Sequence, residues 1–192
     1  MSKNIRPKIL ITEPKDYSLT AIKILKSAGE VILLKKKVRQ LANEKILADI
    51  DVLVVKLNFK ITKTVINKAS HLKLIATSTT GLNHIDVDYA QKKGISVLSL
   101  RGHADFLQNI YSTAEHTLAL ILALIRKIPW SFQSIKDSKW QRELYYGHEI
   151  HGQKMGVLGY GRLGKIVASY GRSLGLDVIA HDPYVAKEEF IK

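Results

Sequence analysis

The chain has no cysteine, which excludes disulfide bridges, thiolate zinc and thiol nucleophiles, although it does not identify a compartment. Long apolar runs are missing too. The longest, Leu118 to Ile125, is interrupted by Arg126 and Lys127, far short of the roughly 20 apolar residues of a membrane span. No early apolar segment leads to a small-residue cleavage site, so a cytoplasmic protein without a membrane partner is expected. Acidic residues are scarce, 17 against 30 Lys and Arg, for a formal net charge of +13. Such an excess raises the question of nucleic acid. Most lysines, among them Lys23, Lys26, Lys45, Lys63 and Lys68, nevertheless sit between apolar residues of expected helices and in turns. The one run is Lys35-Lys36-Lys37, with no nucleic-acid motif beside it, so no nucleic-acid partner is expected and anionic small ligands account for part of the charge. Near Tyr145-Tyr146, His148 and His151 lack a metal-binding spacing, and no metal site is expected.

What is present is a regular beat of short apolar stretches. Lys8 to Thr12, Glu30 to Leu34, Val52 to Val55, Leu72 to Thr77 and Ile95 to Leu100 are expected strands. Between them Ser18 to Ala28, Arg39 to Ala48, Ile61 to Ala69 and Val87 to Lys93 place apolar residues at helical spacing, and Gly29 and Gly94 mark two stops. A beat of about 22 residues also occurs in leucine-rich solenoids, but the asparagine ladder and repeated leucines are absent. The pattern predicts an α/β chain that begins with a flavodoxin-like domain, a parallel sheet with helical crossovers.

A second unit centres on Gly159, Gly161 and Gly164. Met155 to Leu158 is an expected strand, the glycines form a turn, and Ile166, Val167, Tyr170 and Leu174 fall at helical spacing up to Gly175. Leu176 to Ala180 is a second strand, finishing at His181-Asp182-Pro183. This is the first βαβ unit of a Rossmann fold. Gly159 permits the tight turn, Gly161 a close backbone approach to a pyrophosphate, and Gly164 contact between helix and strand. The pyrophosphate would meet the free N–H groups of the helix start. Asp182 stands where an acid binds both ribose hydroxyls and favours NAD over the 2′-phosphorylated cofactor. An empty βαβ unit is the plain alternative.

In a parallel α/β sheet, ligands bind beyond the carboxyl ends of the strands. The loops expected there are Lys56-Leu57-Asn58, Ser78 to His84, and Arg101-Gly102-His103. Thr80-Gly81 can present backbone donors to a carboxylate, or can simply belong to a hydroxyl-rich turn. His84 and His103 are expected at the surface or in caps. Ser112-Thr113-Ala114-Glu115 matches a capping box, with Ser112 as N-cap. It would open a helix to about Lys127, stopped by Pro129, whose body is apolar all round and calls for burial on more than one face. A second helix is expected over Trp130 to Lys139.

The stretches Thr80-Gly81-Leu82-Asn83-His84-Ile85-Asp86, Ala114-Glu115-His116-Thr117, Lys127-Ile128-Pro129, Trp140, Gly152 to Gly164 and His181-Asp182-Pro183-Tyr184, in this order, resemble the D-isomer-specific 2-hydroxyacid dehydrogenases, the family that includes D-3-phosphoglycerate dehydrogenase. The resemblance implies a substrate domain over residues 1–102, then a linking helix and an incomplete NAD-binding domain over 103–192. The site would lie in the cleft, and a homodimer would form through the cofactor domain. It implies NAD as cofactor, a 2-hydroxy or 2-oxo acid as substrate, and hydride transfer between them. Cofactor contacts would come from Thr80, Gly159, Tyr160, Gly161, Arg162, Leu163, Gly164 and Asp182, and substrate contacts from Lys56, Thr80 and Gly81. Lys56 replaces an arginine common in phosphoglycerate dehydrogenases, and the loop Arg101 to Ile110 departs from the usual Pro-Gly turn. The family's arginine, glutamate and acid/base histidine are expected beyond Lys192. No catalytic residue is therefore expected here, and the 192 residues alone are expected to be inactive. A non-enzymatic NAD-sensing or corepressor-like protein on the same fold is the alternative.

Overall fold

A computed structural model describes residues 6–34, 41–43 and 45–190; Lys35-Lys36-Lys37 lies outside the described residues. The chain divides into two compact units, Met1–His103 and Ala104–Lys192.

In the first unit β1 (Lys8–Ile11), β2 (Glu30–Leu33), β3 (Val52–Val55), β4 (Leu74–Thr77) and β5 (Ser96–Leu98) form one parallel sheet in the order β2-β1-β3-β4-β5. Ile9 pairs with Val31 on one side and Val52 on the other, and Ile75 pairs with Leu53 and Val97. The central strands β1, β3 and β4 are largely apolar without alternation because helices cover both of their faces. On one face α1 (Leu19–Ala28) brings Ile22 and Leu25 onto Ile9, Ile11 and Val54. On the other, α2 (Lys63–Lys68) and α3 (Val87–Lys92) bring Val65, Ile66 and Ala90 onto Leu10, Leu53, Val55 and Ile75. Both α1 and α3 start at side-chain caps. Ser18 Oγ accepts from Ala21 N at 3.1 Å and Asp86 Oδ1 from Tyr89 N at 3.1 Å, each supplying a partner to an orphan N–H of the first turn.

The helix expected over Arg39 to Ala48 is not formed among the described residues, which make two 3-10 turns, Leu41–Asn43 and Lys45–Asp49. Leu41, Leu47 and Ile50 are all buried, and tight turns suffice to bring them under the sheet between β2 and β3.

The second unit contains α4 (Ala104–Leu107), α5 (Ser112–Ile125), α6 (Ile128–Lys136), β6 (Lys154–Leu158), α7 (Arg162–Ser173) and β7 (Asp177–His181). β6 and β7 pair in parallel, with Val157 beside Ala180. One face packs on α7 around the buried Ala168; on the other Leu158 is 88% exposed and Ile179 55%. Gly175 follows α7 with φ +77, and its N–H bonds Arg172 O at 2.9 Å, the left-handed cap expected of it.

Three expectations about α5 fail. Tyr111, already helical at φ −96 and ψ −19, is the N-cap, and no side chain caps the helix. Ser112 is thus the first helical residue, one position too late to be the N-cap, and the side-chain bonds of a capping box are not made. The stop comes at Arg126 and Lys127, the latter left-handed at φ 53, and α6 leaves at 65°. Pro129 sits in the first turn of α6, where its missing N–H costs nothing. Ala114 is the buried residue of α5, while Leu120 and Leu124 stay largely exposed. Burial on more than one face is thus not achieved among the described residues.

Candidate functional site

In the second unit the glycine turn joins β6 to α7. Gly159 adopts φ +93, a conformation that penalises any Cβ, and its N–H bonds His181 O at 2.8 Å. A Cβ at Gly164 would overlap the Gly159 carbonyl oxygen, whereas one at Gly161 would meet nothing within 4 Å. Gly164 therefore lets helix and turn touch, and Gly161 faces open space. The N–H groups of Gly161, Arg162 and Leu163 have no partner among the described residues, as the first turn of a helix without a side-chain cap requires. Open space bordered by free donors and the positive helix end suits an anion.

The other residues singled out in this unit have structural work as well. Tyr160 is buried, its ring stacked on Phe190 at 4.9 Å, and so contributes backbone and packing. Asp182 Oδ2 accepts from Tyr160 N at 2.8 Å and Oδ1 from Tyr184 N at 2.9 Å. The acid braces the turn, and each oxygen keeps a further lone pair for a hydroxyl. The Arg162 guanidinium donates to Leu107 O at 2.9 Å and Ile110 O at 3.0 Å. It thereby closes the end of α4, while its backbone N–H remains at the turn. A cavity of about 580 Å³ lined by Leu124, Trp130, Gln133 and Leu144 touches none of these residues.

In the first unit the crossovers after β1 and β3 leave on opposite faces. That makes the β1/β3 boundary the topological switch point, where loops diverge and ligands bind. The side chain found there is Glu13, two residues past the end of β1. It is buried, and its carboxylate accepts from Lys56 N at 3.0 Å, from Asn58 N at 3.0 Å and from the Thr12 hydroxyl. Lys56 Nζ donates to Asp16 O at 3.0 Å, lies 5.1 Å from the centre of the Tyr17 ring and is 4.0 Å from Asp16 Oδ2. The Tyr17 pKa is raised by burial.

The loop after β4 is held by its own hydroxyls. Thr77 Oγ1 and Thr79 Oγ1 are 3.0 Å apart, and Thr79 Oγ1 donates to Gly81 O at 2.8 Å. Thr80 and Gly81 are exposed, and their N–H groups have no partner among the described residues, a pair of donors open to a carboxylate. His84 is not at the surface, as expected, but buried, with Nε2 3.5 Å from Thr77 Oγ1. Its carbonyl is fixed by Ile61 N at 2.7 Å. Burial lowers the imidazole pKa, while the nearby Glu13 charge acts in the opposite direction. His103 lies exposed.

Lys56, Thr80 and Gly81 thus share the carboxyl end of one sheet, and Gly159 to Gly164 share a turn with Asp182. Sequence reasoning missed Glu13 and misjudged His84. An acid directly after an apolar strand at a switch point was the available signal for Glu13.

Residues 9–188 match the family model described as "D-isomer specific 2-hydroxyacid dehydrogenase, catalytic domain". The chain is 39% identical over 181 residues to D-3-phosphoglycerate dehydrogenase of Methanocaldococcus jannaschii, covering 94% of this chain and 33% of that protein. The human D-3-phosphoglycerate dehydrogenase is 35% identical over 188 residues, covering 96% and 33%. The chain thus spans about a third of the length of the curated relatives it matches. Among solved structures, D-lactate dehydrogenase from Aquifex aeolicus, complexed with NAD and lactic acid, superposes with a TM-score of 0.74. Its sequence identity is 29%, with 94% of this chain and 53% of that one covered.

Proposed function

The chain belongs to the D-isomer specific 2-hydroxyacid dehydrogenase family, and from that premise we propose that it supplies the acid-anchoring part and the adenosine part of an NAD-dependent 2-hydroxyacid dehydrogenase of the phosphoglycerate dehydrogenase type. The observation that carries the cofactor reading is the glycine turn, where free N–H groups of Gly161, Arg162 and Leu163 border open space. Those donors hold a pyrophosphate, and Gly161 lets it approach the backbone. Asp182 accepts from the ribose hydroxyls with its remaining lone pairs, and its charge repels a 2′-phosphate, which selects NAD. NAD, when bound, supplies the hydride acceptor.

The first unit is the acid-binding part. Thr80 and Gly81 offer two backbone donors to the carboxylate that every 2-hydroxy or 2-oxo acid carries. Lys56 offers a point charge to the acid's other end, without the two-pronged geometry of arginine. The exposed apolar side chains of α5 and α6, Leu120, Leu124, Trp130 and Phe132 among them, are the surface for a homodimer.

Calorimetric titration of the purified chain with NAD and NADP tests the cofactor reading. NAD is expected to bind at least about tenfold more tightly, a difference of roughly 1.4 kcal/mol. Equal affinities would remove Asp182 from the ribose site, and binding of neither would remove the glycine turn as a cofactor cradle.

A further inference from the structure

Glu13 has no place in the reading above, and a buried carboxylate costs too much desolvation to be neutral in a structure unless donors offset it. Its donors are the Thr12 hydroxyl and the N–H groups of Lys56 and Asn58. The two backbone donors flank Leu57, which is left 69% exposed at the loop tip. The carboxylate thus pins the loop after β3 on both sides of its tip, and the Lys56 side chain leaves from a fixed point. The other end of Lys56 is governed by the same segment. The 3-10 turn Pro14–Asp16 that follows Glu13 presents the Asp16 carbonyl and the Tyr17 ring on which the ammonium rests.

A staple for the sheet end is the plain alternative, but the ladder does not need one. Thr12 N already bonds Val54 O at 3.1 Å, which joins β1 to β3 as far as their ends. What the carboxylate adds lies past the ladder, in the shape of residues 56–58.

We infer that Glu13 is a positioning residue for Lys56, holding the loop after β3 in the form that presents the ammonium to the acid substrate. The inference rests on the reading of Lys56 as an acid anchor. Glu13→Gln keeps size and shape but replaces one acceptor oxygen with an NH₂ group facing an N–H, so one of the two loop bonds is lost.

The test uses the 192-residue chain as wild type, Glu13→Gln, Lys56→Ala and the double variant, with pyruvate and 3-phosphoglycerate as probes. In amide NMR spectra, Glu13→Gln is expected to shift the Lys56 or Asn58 N–H and to speed its exchange by about tenfold. In titrations it weakens acid binding by about tenfold, and the double variant binds no more weakly than Lys56→Ala alone, because Glu13 acts through Lys56. If Glu13→Gln does not fold, Glu13→Asp replaces it, keeping the charge with a shorter reach, and is expected to weaken binding by less than Lys56→Ala. Unchanged amides overturn the inference. So does Glu13→Gln binding acids like the wild type while Lys56→Ala does not, and so do additive losses in the double variant. Lys56→Ala indistinguishable from the wild type instead overturns the anchor reading, and the inference falls with it.

Discussion

Gly161 and Gly164 stand three residues apart in one motif, yet alanine at the two positions is expected to fail in opposite ways. At Gly164 the new Cβ would overlap the Gly159 carbonyl oxygen and lie 3.0 Å from its carbon and 3.4 Å from Val157 Cγ1. Neither neighbour can swing aside. Gly159 is tied to His181 O through its N–H, and the next residue is tied to Asp182. The start of α7 must therefore lift from the turn, an overpacking cost of about 3 kcal/mol. Better helix propensity returns about 1 kcal/mol. The net loss of about 2 kcal/mol corresponds to a fall in Tm of about 8 to 16 °C for a unit of this size. Gly161 has φ −72 and ψ −163 and nothing within 4 Å of its Cβ position. Alanine costs about 1 kcal/mol there as a poorer N-cap and returns about 0.4 to 1 kcal/mol by restricting the unfolded chain. Its Tm should barely move. The added methyl nevertheless occupies the approach to the N–H groups, so NAD affinity should fall by about tenfold or more. Circular-dichroism melts and calorimetry on the two variants read both quantities. Equal losses of Tm would refute the packing argument, and Gly161→Ala binding NAD like the wild type would refute the cradle.

Asp182→Asn leaves an acceptor for the turn but removes the charge, so the preference for NAD over NADP should fall by about tenfold or more, given about 1.5 to 3 kcal/mol for a charged hydrogen bond. An unchanged ratio of the two affinities would defeat that assignment. The His84 pKa is lowered from 6.5 by burial. Above 6.5 neither folded nor unfolded state binds the proton. As pH falls below 6.5 the unfolded chain protonates first, so stability is lost until the folded pKa is reached. Melts of the wild type between pH 7.5 and 5 should therefore slope downward more steeply than those of His84→Gln, and parallel curves would contradict the burial argument. The 192-residue chain assayed with NADH and a panel of 2-oxo acids should show no turnover, since acid/base catalysis worth about 10² to 10⁴ has no donor among the residues proposed for the site. Turnover would mean that these residues hold a proton relay.

The first sheet was legible because both faces of its central strands are covered, which leaves β1, β3 and β4 as largely apolar runs. Strand ends were less so. Leu100 looks like a continuation of Val97-Leu98, but its N–H bonds Thr79 O and serves the loop after β4. The Ser112 to Glu115 capping box is chemically sound and still misleads, because Tyr111 has already entered the helix and Glu115 N bonds Tyr111 O at 3.1 Å. Glu13 was hidden for a different reason. Two of its partners are backbone N–H groups of residues 56 and 58, and backbone donors leave no mark in a sequence. The glycine turn was legible down to single residues, yet the Arg162 side chain went to two carbonyls near α4 that no local pattern announces.

The strand order β2-β1-β3-β4-β5 also bears on how the chain is made. β2 joins one side of β1 and thereafter remains an outer strand. β3, β4 and β5 each add to the free edge of the sheet in the order in which they are synthesised. No strand has to wedge between two already paired. Each strand therefore meets a free edge in chain order, and the first unit can fold as a whole ahead of the second as the polypeptide leaves the ribosome. The switch between β1 and β3 is completed early in that sequence. The loop carrying Lys56 thus takes its shape from contacts made wholly within the first unit.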